Sequence, residues 1–223
     1  MKRLMLLLSV LIFGSFLYAA DKVQLETLLP DVYLITDANY DNLNGNKACS
    51  LHCGHVHWLM RASSELKSST GKNYGPKNVD DWSFKTAWVE GNKNSGKGEY
   101  LTFIFPRTTF FARDLKPLNW DGFSVVSGDM RDKNAWNNNG RVKTFRVYLN
   151  GQPLFEAYLE DEMAIQTFSF AQSVMLNPDD VIEAEIVDVY PGAKFKDTAV
   201  SEFMLLGARS EERRVGKECI AVC

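Results

Sequence analysis

Tyr74-Gly-Pro-Lys-Asn-Val-Asp-Asp-Trp-Ser-Phe-Lys-Thr-Ala-Trp-Val-Glu-Gly91, followed shortly by Gly96-Lys-Gly-Glu99, is the most distinctive stretch of this 223-residue chain. Asp80 and Asp81 carry short carboxylates that can accept hydrogen bonds from nearby backbone amides and so fix a loop; the Thr86 hydroxyl can do the same more weakly. Trp88 and Val89 then begin an apolar strand, which Glu90-Gly91 ends. The segment reads as a clamped loop feeding a strand, with most of its residues holding the loop rather than touching a ligand.

Outward from this segment the dominant pattern has period two. Leu101, Phe103 and Phe105 alternate with Thr102 and Ile104; Phe145, Val147 and Leu149 with Arg146 and Tyr148; Ile182, Ala184 and Ile186 with Glu183 and Glu185. Such alternation turns one set of side chains to a core and the other to water. Asn150-Gly151 sits between two such runs and supplies the positive φ angles of a tight hairpin. Further strands are expected near 31–36, 55–62, 122–127, 154–159, 164–170 and 199–206. No helical stripe of comparable strength is visible. The polar stretches 64–98 and 129–140 read as long loops, where binding sites on rigid sheets tend to lie. The expected fold is all-β, an antiparallel β-sandwich.

The Tyr74–Gly91 segment with Gly96-Lys-Gly-Glu99 resembles the discoidin-like domain of bacterial NAD-glycohydrolase toxins, a NADase-type glycan-binding or translocation domain. Ala62-Ser-Ser64, Asn138-Asn-Gly-Arg-Val-Lys143 and Ser201-Glu202 fit the same pattern in order, so the resemblance covers roughly residues 48–208. Two positions depart from it: Asp81-Trp82 stands where such domains usually have Asp-Gly, and Lys97 replaces a small apolar residue between two glycines. The resemblance implies a galactose-binding-like jelly roll and sugar binding. It does not imply NAD hydrolysis, which in those toxins belongs to a separate domain.

The first twenty residues predict export. Lys2 and Arg3 precede an apolar run, Leu4 to Leu17, and Ala19-Ala20 offers a cleavage site, so the mature chain is expected to begin near Ala20 or Asp21. The expected organisation is a signal peptide at 1–20, an N-terminal segment at 21–47, the sandwich at 48–208 and a non-native or flexible tail at 209–223. Removing Lys2 and Arg3 takes the formal charge from −3 to −5, a balance that argues against nucleic acid. Cys49-Ser-Leu-His-Cys-Gly-His-Val-His57 contains every histidine of the chain. In an oxidising compartment Cys49 and Cys53 are expected as a disulfide, and domains of the resembled kind carry a Cys pair there; thiolate and imidazole would also suit zinc.

A sugar site needs a flat aromatic face together with amide, carboxylate or guanidinium groups. Trp120 and Asp121 on one expected loop, and Trp136, Asn138 and Arg141 on another, supply that combination and are expected to meet at one end of the sandwich; Trp82 and Glu90 are the reserve candidates. Asp80, Asp81 and Thr86, with Glu202, are candidates for a structural Ca²⁺, whose hard charge favours oxygen ligands. The chain has no Gly-x-Ser-x-Gly, His-Glu-x-x-His or phosphate-loop motif. The expected function is thus a non-catalytic, exported module binding a glycan. A protein-interaction role in the cell envelope is the alternative, and a glycoside-acting enzyme comes third.

Overall fold

A computed structural model of the protein describes residues 25–44, 58–68, 70–108 and 115–207. The expected leader, the Cys49–Cys53 pair with its histidines and the C-terminal tail lie outside the described residues. In chain order the elements are β1 (Glu26–Leu28), β2 (Asp31–Leu34), α1 (Tyr40–Leu43), β3 (Leu59–Ala62), a 3-10 turn (Pro76–Asp80), β4 (Trp88–Val89), β5 (Tyr100–Ile104), β6 (Leu118–Ser127), α2 (Lys133–Asn138), β7 (Gly140–Leu149), β8 (Gln152–Tyr158), β9 (Ala164–Leu176), β10 (Val181–Tyr190) and β11 (Thr198–Leu206).

The ladder runs β2-β9-β6-β11-β7-β10-β5-β3, with β8 beside β7 and β1 beside β8. It folds over on itself where β11 meets β7, a parallel contact of only two pairs, Thr198↔Gly140 and Ala199↔Arg141. Phe203 of β11 therefore faces Phe103 of β5 at 5.1 Å between ring centroids and Phe145 of β7 at 5.5 Å, although β5 is not its neighbour in the ladder. Phe123 stacks on Phe203 and on Phe168, closing an aromatic core between two layers. This is the all-β sandwich that the alternating runs predict. The Asn150-Gly151 hairpin is present as well: both residues have positive φ, and Leu149 pairs with Gln152 across it.

Residues 129–140 differ from the expected loop. They hold α2, whose N-cap Asp132 accepts a hydrogen bond from the Ala135 amide at 2.8 Å. An aspartate three residues ahead of the amide it caps is a helix-start signal, masked here by the surrounding Asn and Lys.

The family-like motif interlocks with itself. Ser63 and Ser64 both donate to Glu99 Oε2 at 2.5 Å, Asn92 donates to Glu99 Oε1, and the Trp88 indole donates to the Ser64 carbonyl at 2.9 Å. Burial would raise the Glu99 pKa, but these hydrogen bonds outweigh it and hold the carboxyl below its usual range. Gly91 completes the clamp, since a Cβ there would lie 2.4 Å from the Glu65 carbonyl oxygen. Lys97, one of the two departures from the pattern, reaches Asp188 on β10 at 2.6 Å.

Candidate functional site

One end of the sandwich gathers the loops that leave β6, enter β7, leave β10 and enter β11, and the long segment from Ala62 to Tyr100 folds onto the same end. Val89 pairs with Ala199 there, and the Ala193 and Phe195 amides bond to the carbonyls of Asn137 and Asn138. Between the segment around Tyr74 and the start of α2 lies an open cavity of about 390 Å³. Tyr74, Asn78, Thr86 and Arg131 line it, with Lys72 and Lys85 at its sides.

The cavity walls are tied together. The buried amide of Asn78 donates to the carbonyls of Asn73 and Ala87, both at 2.9 Å, and the Val89 amide donates to the Tyr74 carbonyl. Arg131 is held by Asp129, with Nε at 2.8 Å from one carboxylate oxygen and Nη2 at 2.5 Å from the other. Hydrogen bonding to Asp129 raises the Arg131 pKa, so the guanidinium stays charged. Tyr74, an amide oxygen, a hydroxyl oxygen and a guanidinium thus line tied walls, a set able to meet the hydroxyls of a sugar through two acceptors and one cationic donor.

The residues expected to form the site are differently placed. Trp120 is fully buried within β6, edge-on to Phe170 at 4.7 Å, and its indole donates to the Gly122 carbonyl. Asp121 accepts from the Ser173 hydroxyl on β9. Trp136 lies beyond the other end of β6, its indole donating to the Ser127 carbonyl at 3.0 Å. Seven strand steps of about 3.3 Å separate Trp120 from Ser127, so the two tryptophans are on the order of 20 Å apart and do not share a site. Trp136 and Arg141 do come together, while the Asn138 carbonyl is taken by the Phe195 amide. Yet Arg141 is largely buried, with Nε and Nη2 on Asp161 and Nη1 on the Asn139 and Trp136 carbonyls. Its charge holds the loop rather than facing outward.

Both reserve candidates are buried too. Glu90 is fully enclosed and accepts from the Asn92 amide at 2.6 Å and the Thr198 amide at 3.1 Å; burial raises its pKa. Trp82 turns its indole inward. Among the proposed cation ligands, Asp81 accepts from the Thr86 hydroxyl at 2.7 Å and from the Ser83 amide at 3.0 Å. Among the described residues no three His, Cys, Asp or Glu side chains are grouped so as to hold a metal ion.

Lys72, Lys85 and Arg131 were not among the residues that the sequence singles out. Each is an ordinary cation in a polar stretch, and their convergence depends on the fold bringing positions 72, 85 and 131 to one cavity.

The architecture and the loop-end cavity define a discoidin-like jelly roll. The chain belongs to the NAD glycohydrolase translocation F5/8 type C domain family, whose model matches residues 51–206. Among solved structures it is similar to the CBM32-1 and CBM32-2 domains of Clostridium perfringens ZmpB in complex with GalNAc, at 11% identity and a TM-score of 0.53, covering 85% of this chain and 42% of that one. The same ZmpB domains in a second structure give 11% identity and a TM-score of 0.52, covering 85% and 43%. The chain thus spans less than half the length of these two structures, and at this identity the likeness concerns the fold. No curated protein matches the chain. Among the described residues no helix is long and apolar enough to cross a membrane.

Proposed function

We propose that this protein is an exported, non-catalytic module that binds carbohydrate in the cavity beside the Tyr74–Gly91 segment. The cavity itself carries the reading: on a jelly-roll scaffold, Tyr74, Asn78, Thr86 and Arg131 supply a ring face and hydrogen-bonding groups on walls already tied in place. The GalNAc complex of the similar ZmpB domains supports the same class of ligand. A preorganised site spends little free energy on ordering side chains when a ligand arrives. A glycan array probed with the purified protein tests the proposal. Binding to at least one saccharide is expected, and Tyr74→Ala should weaken it by about 1–3 kcal/mol. An array without hits would end the carbohydrate reading.

A second reading, a protein partner in the cell envelope, rests on β2. This edge strand is exposed along its whole length and shows Val32, Tyr33 and Leu34 to solvent. An unpaired apolar strand edge can accept another strand.

A further inference from the structure

We infer that the ligand taken in the Tyr74 cavity is an acidic saccharide, one bearing a carboxylate or a sulfate ester. The inference rests on the carbohydrate reading above and narrows it to a ligand class. The cavity lining carries three cations, Lys72, Lys85 and Arg131, and no carboxylate, in a chain whose formal net charge is −3. Local charge of sign opposite to the net charge is the feature that needs a cause.

The three cations are not equivalent. Arg131 gives Nε and Nη2 to Asp129, so most of its charge is balanced, while Nη1 makes no hydrogen bond among the described residues. It can therefore present a directed N–H pair to an oxygen in the cavity without being drawn away from its place. Lys72 and Lys85 are exposed and make no ion pair among the described residues. Asp81, in the same loop as Lys85, is occupied by Thr86 and Ser83. The arrangement is one anchored guanidinium plus two exposed ammonium groups around a tyrosine. A neutral sugar would find acceptor oxygens on Asn78 and Thr86, whose own protons are already given to the fold. Two further uncompensated charges add nothing for such a sugar, but they attract and retain an anionic substituent.

Matched saccharide pairs decide the matter: sialyllactose against lactose, and trigalacturonate against its methyl ester, titrated with the full chain at 50 and 300 mM salt. The acidic member of at least one pair should bind about tenfold more tightly at low salt, with the advantage shrinking at high salt. In a Lys72→Ala/Lys85→Ala variant that advantage should fall to about twofold or less. Both lysines are exposed, so the variant should keep its melting temperature. Equal binding of acidic and neutral members, or an advantage untouched by the double substitution, overturns the inference while leaving carbohydrate binding in place. Absence of binding to any saccharide, here and on the array, removes the carbohydrate reading and the inference with it.

Discussion

The guanidinium of Arg141 lies 4.4 Å from the centre of the Trp136 ring while its Nε and Nη2 hold Asp161 at 2.7 and 3.0 Å. Both side chains also crowd Gly128, where a Cβ would stand 2.6 Å from the indole and 2.9 Å from the Arg141 Cγ. A cation over an aromatic face contributes about 0.5–2 kcal/mol, more as water is excluded.

The consequence reverses what an exposed ligand anchor would show. Trp136→Ala should destabilise the protein by about 2–4 kcal/mol, through lost packing against the cluster of Val126, Met130 and Phe84 and through the lost cation–π contact. Urea denaturation measures it. A variant with wild-type stability and lost saccharide binding would instead restore Trp136 as a ligand contact.

Trp82 has φ +64°, the left-handed region that favours glycine, at the position where related domains usually carry glycine. Placing a tryptophan there costs about 1–2 kcal/mol of backbone strain. Its buried side chain offsets this, because removing a buried Trp typically costs about 3–5 kcal/mol. Trp82→Gly should therefore lower stability by about 1–4 kcal/mol despite relieving the backbone. An increase in the urea midpoint would show that strain outweighs packing.

Glu202 on β11 has both carboxyl oxygens buried, with no well-formed hydrogen bond among the described residues. Burial, reinforced by the charges of Asp81 and Asp80, pushes its pKa up to about 9; the backbone amides of Ser83 and Trp82 offset part of the rise. In the unfolded chain the group titrates near 4.5. Between these values the native state keeps a proton that the unfolded state releases. Stability should therefore decline as pH rises through the window, by at most about 1.4 kcal/mol per pH unit. Glu99 and Asp188, whose pKa values are lowered, act in the opposite sense at acid pH. Comparing urea midpoints of wild type and Glu202→Gln at pH 5.5 and 8.5 isolates the effect. The variant should gain on the wild type at the higher pH, and equal slopes would show that Glu202 is ionised in the fold.

Three strands were legible because they run alternately between core and solvent, which prints period two onto Leu101–Phe105, Phe145–Leu149 and Ile182–Ile186; β11, buried at eight consecutive positions, carries no such alternation. The hairpin at Asn150-Gly151 was legible because few residue pairs adopt two positive φ angles. Trp120 was misplaced for a related reason. Asn119, Asp121 and Gly122 around it look like a turn, but the strand bulges between Trp120 and Gly122 and keeps the indole in the core.

Sequence alone determined the all-β sandwich, because local alternation and turn chemistry do not depend on what lies across the molecule. It determined family membership too, through a motif whose residues are bonded mainly to one another: Ser63, Ser64, Trp88, Gly91 and Glu99. Tertiary structure decided which polar side chains face water and which are consumed by the fold. Glu90 and Arg141 look available in the sequence, yet each is surrounded by backbone amides, carbonyls or a carboxylate that use its charge. Lys72, Lys85 and Arg131 look unremarkable until the sandwich folds over at the β11–β7 seam and its end loops bring them to one cavity. Such convergence depends on contacts between residues far apart in the chain, and no local pattern encodes it.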